Sequence, residues 1–257
     1  MPNLAFARLS AAVAAPMLVV GILVTLLWVT PQDGGQPASQ AGAYGFSGGP
    51  PTIDHPEPET LPTGSVAFDG VASRTGPAGL PLGFPHSTIG AVAAGTAWLT
   101  VIEGAGVLDS ARRPVLLSSL GDTQVAAAVG DRIAARAEAL GLPGDGQPPS
   151  GHVLAVARPE FGAYRLIEDG TSMVRIEVWY PYQLAVVADG APPPRVRWFR
   201  AQVALRWDAA RDDWQLASDI TVADGPDPGE TRPSFVARTA ALAAFGPRWQ
   251  LYADTQE

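Results

Sequence analysis

The sequence of 257 residues contains no cysteine. Disulfide scaffolds, zinc–thiolate sites, iron–sulfur clusters and cysteine nucleophiles are therefore excluded. Lysine is also absent, so all 17 basic residues are arginine, and the formal net charge is −8. A protein that binds nucleic acid needs a basic surface to displace the counterions of the phosphates. This acidic balance therefore argues against a nucleic-acid partner.

The motifs of common catalytic and cofactor sites are missing as well. The three histidines, at positions 55, 86 and 152, are too scattered for a metal-ligand spacing such as H-E-x-x-H. The two Gly-x-Gly pieces, at 104–106 and 144–146, follow predicted helices, which is the wrong context for a phosphate-binding loop. No Gly-x-Ser-x-Gly elbow marks a serine nucleophile. The sequence therefore predicts no metal and no cofactor.

One long hydrophobic run lies near the amino terminus. It begins at Leu9, ends at Val29 and contains 21 residues without a charge, flanked by Arg8 and Asp33. As a helix it would span about 31 Å, which matches the hydrocarbon thickness of a bilayer. Because Arg8 precedes the run, the positive-inside rule places the amino terminus in the cytoplasm and the rest of the chain outside. We expect residues 1–30 to form a cytoplasmic tip and a single transmembrane helix in the cytoplasmic membrane.

A cleaved signal peptide is the alternative interpretation of this run. Its apolar core would have about 7–15 residues and would be followed closely by a small-x-small cleavage site. The run is longer than that, and the residues after Trp28 do not fit such a site. A weak Ala-x-Ala-like option at Ala41 and Ala43 is far from the membrane edge. An uncleaved anchor is therefore the expectation, with cleavage as the alternative.

Residues 31–80 are rich in proline and glycine, which together occupy 18 of the 50 positions. Leucine, isoleucine, valine and phenylalanine supply only seven. A segment with so little large apolar surface cannot offset the entropy lost on ordering. We therefore predict a disordered stalk over 31–80 that holds the domain away from the membrane. The same residues also suit a linker with no role beyond connection.

A domain is expected over residues 81–257, and its first half has helical periodicity. Its helices are predicted from capping and stop residues: 88–103 with a cap at Ser87 or Thr88, a short helix that starts near Pro114, 123–140 with a cap at Asp122, and 234–245 near the end. After Gly151 the period changes to two, which indicates strands. The predicted strands are 152–158, 161–168, 172–187, 195–208 and 214–220.

Helices followed by an antiparallel meander predict an α+β fold, with the helices packed on the concave face of one curved sheet. In the strand 172–187, Val174, Ile176, Val178 and Tyr180 share one face. Pro181 lies within that strand and predicts a bulge or a bend there.

The order and lengths of these elements resemble the nuclear-transport-factor-2-like cone, also called ketosteroid-isomerase-like, over roughly residues 86–221. The long amphipathic strand that returns through a polar turn into Trp214-Gln215-Leu216 is typical of that group. Separately, the segment LGFPHSTIGAVAA at 82–94 is similar to a motif of an uncharacterised family of actinobacterial membrane-anchored proteins. Several anchored cone domains are bridging components of type IV secretion and conjugation machines. The resemblance implies a part in such an apparatus.

Enzymes with the cone fold place acidic, tyrosine or histidine side chains inside the open end, where burial shifts the pKa values of these groups. Four residues are candidates for such a site: His86, Tyr164, Glu177 and Tyr180. Each also has a structural explanation. His86 precedes a helix and can cap or pack there, and Glu177 can pair with Arg175 across a solvated strand face. The two tyrosines can fill the sheet.

Trp179 and Trp198 lie on the strand faces opposite the more apolar ones. Such side chains are either covered by another element or form a partner-binding surface. The anchor, the stalk and the lack of a convergent polar site favour a membrane-anchored interaction or scaffold module. Its partners would be the lipid bilayer and other proteins of the envelope. The alternative is a small-molecule binder or an enzyme that uses the cavity of the cone.

Overall fold

The structure, a computed structural model, describes residues 72–148, 150–229 and 233–253. The predicted transmembrane helix and residues 31–71 of the predicted stalk lie outside these ranges. Within them, no helix is both long and apolar enough to cross a bilayer.

The described ranges contain four α-helices and eight strands in an α+β arrangement. The helices are α1 (Thr88–Glu103), α2 (Arg113–Ser119), α3 (Thr123–Ala139) and α4 (Phe235–Leu242). The strands are β1 (Arg74–Thr75), β2 (Pro81–Leu82), β3 (His152–Ala157), β4 (Ala163–Asp169), β5 (Met173–Val187), β6 (Val196–Asp208), β7 (Asp213–Leu216) and β8 (Thr221–Asp224). Ser87, Asp122 and Ser234 cap α1, α3 and α4 through their side chains. The predicted helices are confirmed.

The two long strands β5 and β6 form the centre of a strongly curled antiparallel sheet. Strands β3 and β4 lie end to end along the free edge of β5, and β7 and β8 lie along the free edge of β6. Val174, Ile176, Val178 and Tyr180 are fully buried on the face that packs against the helices, which we call the helix face. The predicted side-chain alternation of β5 and the packing of helices on a curved sheet are confirmed.

Pro181 does not interrupt β5, contrary to the expected bulge or bend. It pairs with Trp198 of β6, and β5 continues to Val187. On its other side, the partner of β5 changes from β4, whose first residue Ala163 lies opposite Trp179, to β3, whose last residue Ala157 lies opposite Tyr182. Because Pro181 lies in the gap between these two strands, its missing N–H costs no ladder hydrogen bond.

The register irregularity of the sheet lies in β4, between Leu166 and Glu168. The extra residue, Ile167, is exposed. Strand β4 accommodates a bulge at this point because it is an edge strand, which pairs there with β5 on one side only.

The domain begins before residue 81. Strands β1 and β2 form a two-stranded ribbon, and Leu80 between them has no exposed surface. Residues 72–80 therefore belong to the domain, although their proline and glycine content led to their assignment to the stalk. Leu80 packs in the core, although the low apolar content of residues 31–80 as a whole predicted no such contact.

Helix α1 lies close to the sheet because its residues are small. A Cβ atom at Gly95 would be 2.7 Å from Ile176 Cδ1 and 2.9 Å from Leu205 Cδ1. Gly90 is more constrained, because a Cβ atom there would be 1.9 Å from the backbone oxygen of Pro85. The chain thus turns tightly into α1 only with glycine at position 90.

We predict that Gly90→Ala lowers the free energy of unfolding by about 1–3 kcal/mol, because the backbone at Pro85 must move to admit the methyl group. Gly130→Ala in α3 is the matched control. Its nearest obstacle is the flexible end of Leu117, 3.3 Å away, so the better helix propensity of alanine should raise stability by about 0.5–1 kcal/mol. Urea unfolding followed by tryptophan fluorescence measures both, and equal stability of the two variants would contradict the contact at Pro85.

Candidate functional site

The four candidate residues from the sequence do not come together in one site. Tyr164 and Tyr180 are buried on the helix face. Glu177 is buried on the other side of the sheet, and His86 is exposed beside the turn between β4 and β5. No shared cleft or hydrogen bond joins these four side chains in the described part of the chain.

His86 packs against aromatic rings of the β6–β7 hairpin. Its ring is stacked on Trp207 with a centroid distance of 4.1 Å, and Nε2 donates to the backbone oxygen of Thr171 at 2.6 Å. A cleft of about 370 Å³ lies beside it. In that cleft Thr88 Oγ1 donates to Asp169 at 2.7 Å, so two of its polar groups already satisfy each other. The geometry supports the packing role that we considered for His86.

The segment 82–94 is held in place by Asp213, the first residue of β7. This carboxylate is 1% exposed and accepts hydrogen bonds from the backbone N–H groups of Gly83 (2.7 Å), Phe84 (3.1 Å) and Trp214 (2.9 Å). Trp214 Nε1 also donates to the backbone oxygen of Pro85 at 3.0 Å. The contacts of the LGFPHSTIGAVAA motif with β7 therefore fix the entry into α1. Sequence reasoning missed Asp213, because it looks like an ordinary turn residue.

Polar side chains do converge between α1, α3 and β5, in a group that we call the Glu103 cluster: Glu103, Arg132, Arg136, Tyr182 and Asp219. Glu103 is 4% exposed and accepts from Arg132 Nη1 at 2.5 Å and from Arg136 Nη1 at 2.8 Å. Arg132 Nε donates to both carboxylate oxygens of Asp219 at 3.1 Å. Two guanidinium groups and two carboxylates therefore balance in charge, and the cluster joins the end of α1 to the middle of α3.

Tyr182 connects this cluster to the sheet. Its hydroxyl donates to the backbone oxygen of Glu103 at 3.1 Å and accepts from Arg136 Nη1 at 3.3 Å. The cluster was not predicted. The signal for it was the spacing of Arg132 and Arg136, which places two arginines on one face of α3, next to a glutamate that ends α1.

Burial dominates the titration of the groups around the cluster. It raises the pKa of Tyr182 to about 12 and the pKa of Tyr180 well above its usual value. Burial acts to lower the pKa of Arg132, but the charges of Glu103 and Asp219 outweigh it and hold that pKa above its ordinary value. The arginine therefore stays charged and the tyrosines stay neutral through the physiological range.

Three buried donors in this region have no hydrogen-bond partner among the described residues: the Tyr180 hydroxyl, Arg132 Nη2 and Arg136 Nε. Such donors are costly to leave unpaired in a protein interior. A water molecule or a small anion would satisfy them. These atoms are the unused donors in the described part of this region, whereas the carboxylates of the cluster are already engaged by arginine.

We expected Glu177 to lie on a solvated face and to pair with Arg175. The structure differs on both points. Glu177 is 2% exposed, accepts from Arg165 Nε at 2.7 Å and from Arg200 Nη1 at 3.1 Å, and lies beneath the carboxy-terminal residues. Arg175 instead lies 3.8 Å from Glu168. The alternation of β5 gave the correct face but could not show that a distant segment covers it.

Trp179 and Trp198 are also covered by that segment. Their rings stack at a centroid distance of 4.1 Å and are 0% and 4% exposed. They form a second hydrophobic cluster with Leu242, Trp249 and Leu251. The sequence left open whether these indoles are covered by another element or form a partner surface. In the structure they are covered, so they are not an exposed partner surface in this state.

Comparisons with family models, curated proteins and solved structures found no match for this chain. The resemblance to the cone family and to the actinobacterial motif therefore stays a prediction from the sequence.

Glu103→Gln should destabilise the domain by about 2–3 kcal/mol, because it removes the buried charge that the partly exposed guanidinium groups of Arg132 and Arg136 share. The control is Glu138→Gln, an exposed site on α3, the helix that carries the two arginines, which should change stability by less than about 0.5 kcal/mol. Denaturant unfolding of both variants measures the difference. A small effect of Glu103→Gln would mean that the arginines find other partners and that the cluster does not hold α1 to α3.

Alkaline pH should destabilise the protein through its buried tyrosines. An unfolded tyrosine ionises near pH 10, whereas Tyr182 ionises only at about 12. The stability from this raised pKa is fully present below pH 10 and is lost as the pH rises to about 12, with a slope of about 1.4 kcal/mol per pH unit per tyrosine. Tyr182→Phe should therefore show a shallower loss of stability above pH 10 in denaturant titrations. An unchanged slope would contradict the burial of the hydroxyl.

Proposed function

We propose that this chain is a membrane-tethered interaction module. The hydrophobic run that begins at Leu9 anchors it in the cytoplasmic membrane, and the α+β domain lies outside and binds other proteins of the envelope. A conjugation or secretion apparatus is the assembly that the sequence resemblance favours. The function is thus a scaffolding one, carried by the surface of the domain.

The observation that carries this proposal is the way the helix face of the sheet is occupied. In enzymes with a cone fold the site lies inside the curved sheet. Here α1 fills that side with Trp98, Leu99 and Ile102, all at most 1% exposed. The Glu103 cluster, whose charged groups neutralise one another, occupies the space between α1, α3 and β5. Binding capacity is therefore expected on the outside of the domain.

A small-molecule binder or an enzyme is the second candidate. It is favoured by the three buried donors without partners, on Tyr180, Arg132 and Arg136. They could hold a small anion if the helices moved apart. The geometry supports the interaction module better, because Glu103 already accepts hydrogen bonds from both arginines.

Site-specific photocrosslinking in cells tests the proposal. Ordinary amine-reactive crosslinkers have no lysine to attack in this chain, so a photoreactive residue is needed. Suitable positions are the exposed apolar residues Val115 on α2, Val222 on β8 and Val236 on α4, which are 42%, 36% and 47% exposed. Exposed Glu138 on α3 is the polar control. We expect crosslinks to other envelope proteins from one of the apolar positions, because interfaces bury apolar surface.

Topology is tested in the same cells with the variant Glu138→Cys, whose thiol is unique because the chain has no cysteine. A membrane-impermeant maleimide should label it in intact spheroplasts. Labelling only after permeabilisation would contradict the external location. Correct topology without any crosslinked protein would contradict the scaffold role and favour the small-molecule alternative.

A further inference from the structure

The face of the sheet opposite the helices is covered by residues 233–253, which we call the strap. The strap contains α4, and its residue Gln250 pairs with Tyr164 at the edge of β4 through two backbone hydrogen bonds of 2.9 and 2.8 Å. Its side chains Leu242, Trp249 and Leu251 are at most 2% exposed and pack on Trp179 and Trp198. Tyr252 lies instead in the main core, where its hydroxyl is 3.0 Å from Thr96 Oγ1 of α1. The strap thus hides an aromatic surface that the sheet would otherwise present.

The surface under the strap has an excess of positive charge. Arg165 and Arg200 share the single carboxylate of Glu177. The groups of the strap that contact these two arginines are uncharged. The backbone oxygen of Phe245 accepts from Arg165 Nη1 at 2.6 Å, and the rings of Trp249 and Phe245 lie 4.7 and 4.4 Å from the guanidinium carbons of Arg165 and Arg200. A carboxylate in place of these groups would bind the two arginines more strongly.

The contact between the strap and the sheet also leaves donors unused. Arg200 Nε and Trp249 Nε1 are buried and have no hydrogen-bond partner among the described residues. Both atoms lie at this contact, one on each side of it. The strap therefore covers the aromatic surface but leaves one buried donor on each side of the contact without an acceptor in the described structure, which is the pattern expected of a replaceable contact rather than of a permanent core.

We propose that the strap is an autoinhibitory contact, which opens to expose a docking face formed by Trp179, Trp198, Arg165 and Arg200. The partner is a protein segment that carries an aromatic side chain next to carboxylates. Its aromatic group replaces Trp249, and its carboxylates take the hydrogen bonds of the two arginines. This inference rests on the proposed function for the existence of a partner, but the opening of the strap is a property of the chain alone.

Thiol labelling of the full chain tests the opening. Ala163 and Ala201 are both 0% exposed; Ala163 belongs to the strap-covered cluster, whereas Ala201 lies on the helix face. Because the chain has no cysteine, Ala163→Cys and Ala201→Cys each give one thiol. If the strap opens separately, the first thiol should react at least about tenfold faster than the second. Equal rates would mean that the strap opens only when the domain unfolds, which overturns the proposal.

Hydrogen exchange of the unsubstituted chain repeats this test without a mutation. The backbone N–H groups of Tyr164 and Gln250, each of which donates to the carbonyl oxygen of the other residue, should exchange faster than those of paired residues at the centre of β5 and β6. Equal protection at both places overturns the proposal in the same way.

A peptide titration tests the partner chemistry. The chain carrying Trp249→Ala, in which the strap is weakened, is titrated with a labelled synthetic peptide that has one tryptophan between glutamates. The control peptide has glutamines in place of the glutamates. We expect the acidic peptide to bind at least about tenfold more tightly, and Arg200→Gln to remove the difference. Equal binding, or none, overturns the docking face.

The two proposals fail separately. Slow thiol labelling would leave the membrane-tethered module standing with a fixed strap. A domain located in the cytoplasm would overturn the proposed membrane-tethered module. It would leave the thiol-labelling result for the strap unchanged, because that measurement needs neither membrane nor partner. Slow labelling of Ala201→Cys in the Trp249→Ala background confirms that the domain itself remains folded during the peptide titration.

Discussion

The pairing of β5 with β6 is the constraint on which the rest of the domain depends. It runs without a register shift from Met173 opposite Arg206 to Gln183 opposite Val196. Because side chains alternate along a strand, this one register decides which residues meet the helices and which meet the strap. A slip of β5 by one residue would place Glu177 in the apolar core beneath α1 and turn Val178 toward the strap. The short outer strands are added to this pair and need little pairing strength of their own.

Each face of this strand pair is associated with a buried glutamate held by two arginines. Between α1 and α3, Glu103 is held by Arg132 and Arg136, and Asp219 balances the second positive charge. On the opposite face, Glu177 is held by Arg165 and Arg200 with no second carboxylate in contact with them in the described structure. Removing charges from water costs much of what their attraction returns, so such groups specify an arrangement more than they stabilise it. The first group specifies how two helices meet, and the second specifies where the strap lies.

Local signals allowed the helices and the strand faces to be predicted from the sequence. Ser87 and Asp122 cap the helices that they were expected to cap, because capping depends on residues within one turn. Features that depend on distant residues were missed. Pro181 is harmless only because β3 and β4 leave a gap beside it, and the arginines that hold Glu177 are covered by Phe245, which lies 68 residues after Glu177 in the sequence. A short window of sequence shows two arginines on one face of α3 but not the glutamate that they meet, and it shows a helix near 234–245 but not the surface that the helix covers.

The two faces of the sheet differ in how a binding partner could use them. Access to the helix face would require α1 to separate from the sheet, and its buried residues Trp98, Leu99 and Ile102 belong to the main core. Access to the opposite face requires that a terminal segment with one eight-residue helix moves away and that its one ring in the main core, Tyr252, is withdrawn. The loss of apolar contact is smaller there, and a partner with an aromatic side chain can restore it. If this domain binds by exposing surface that it normally covers, the opposite face is therefore where the least folding free energy has to be given up.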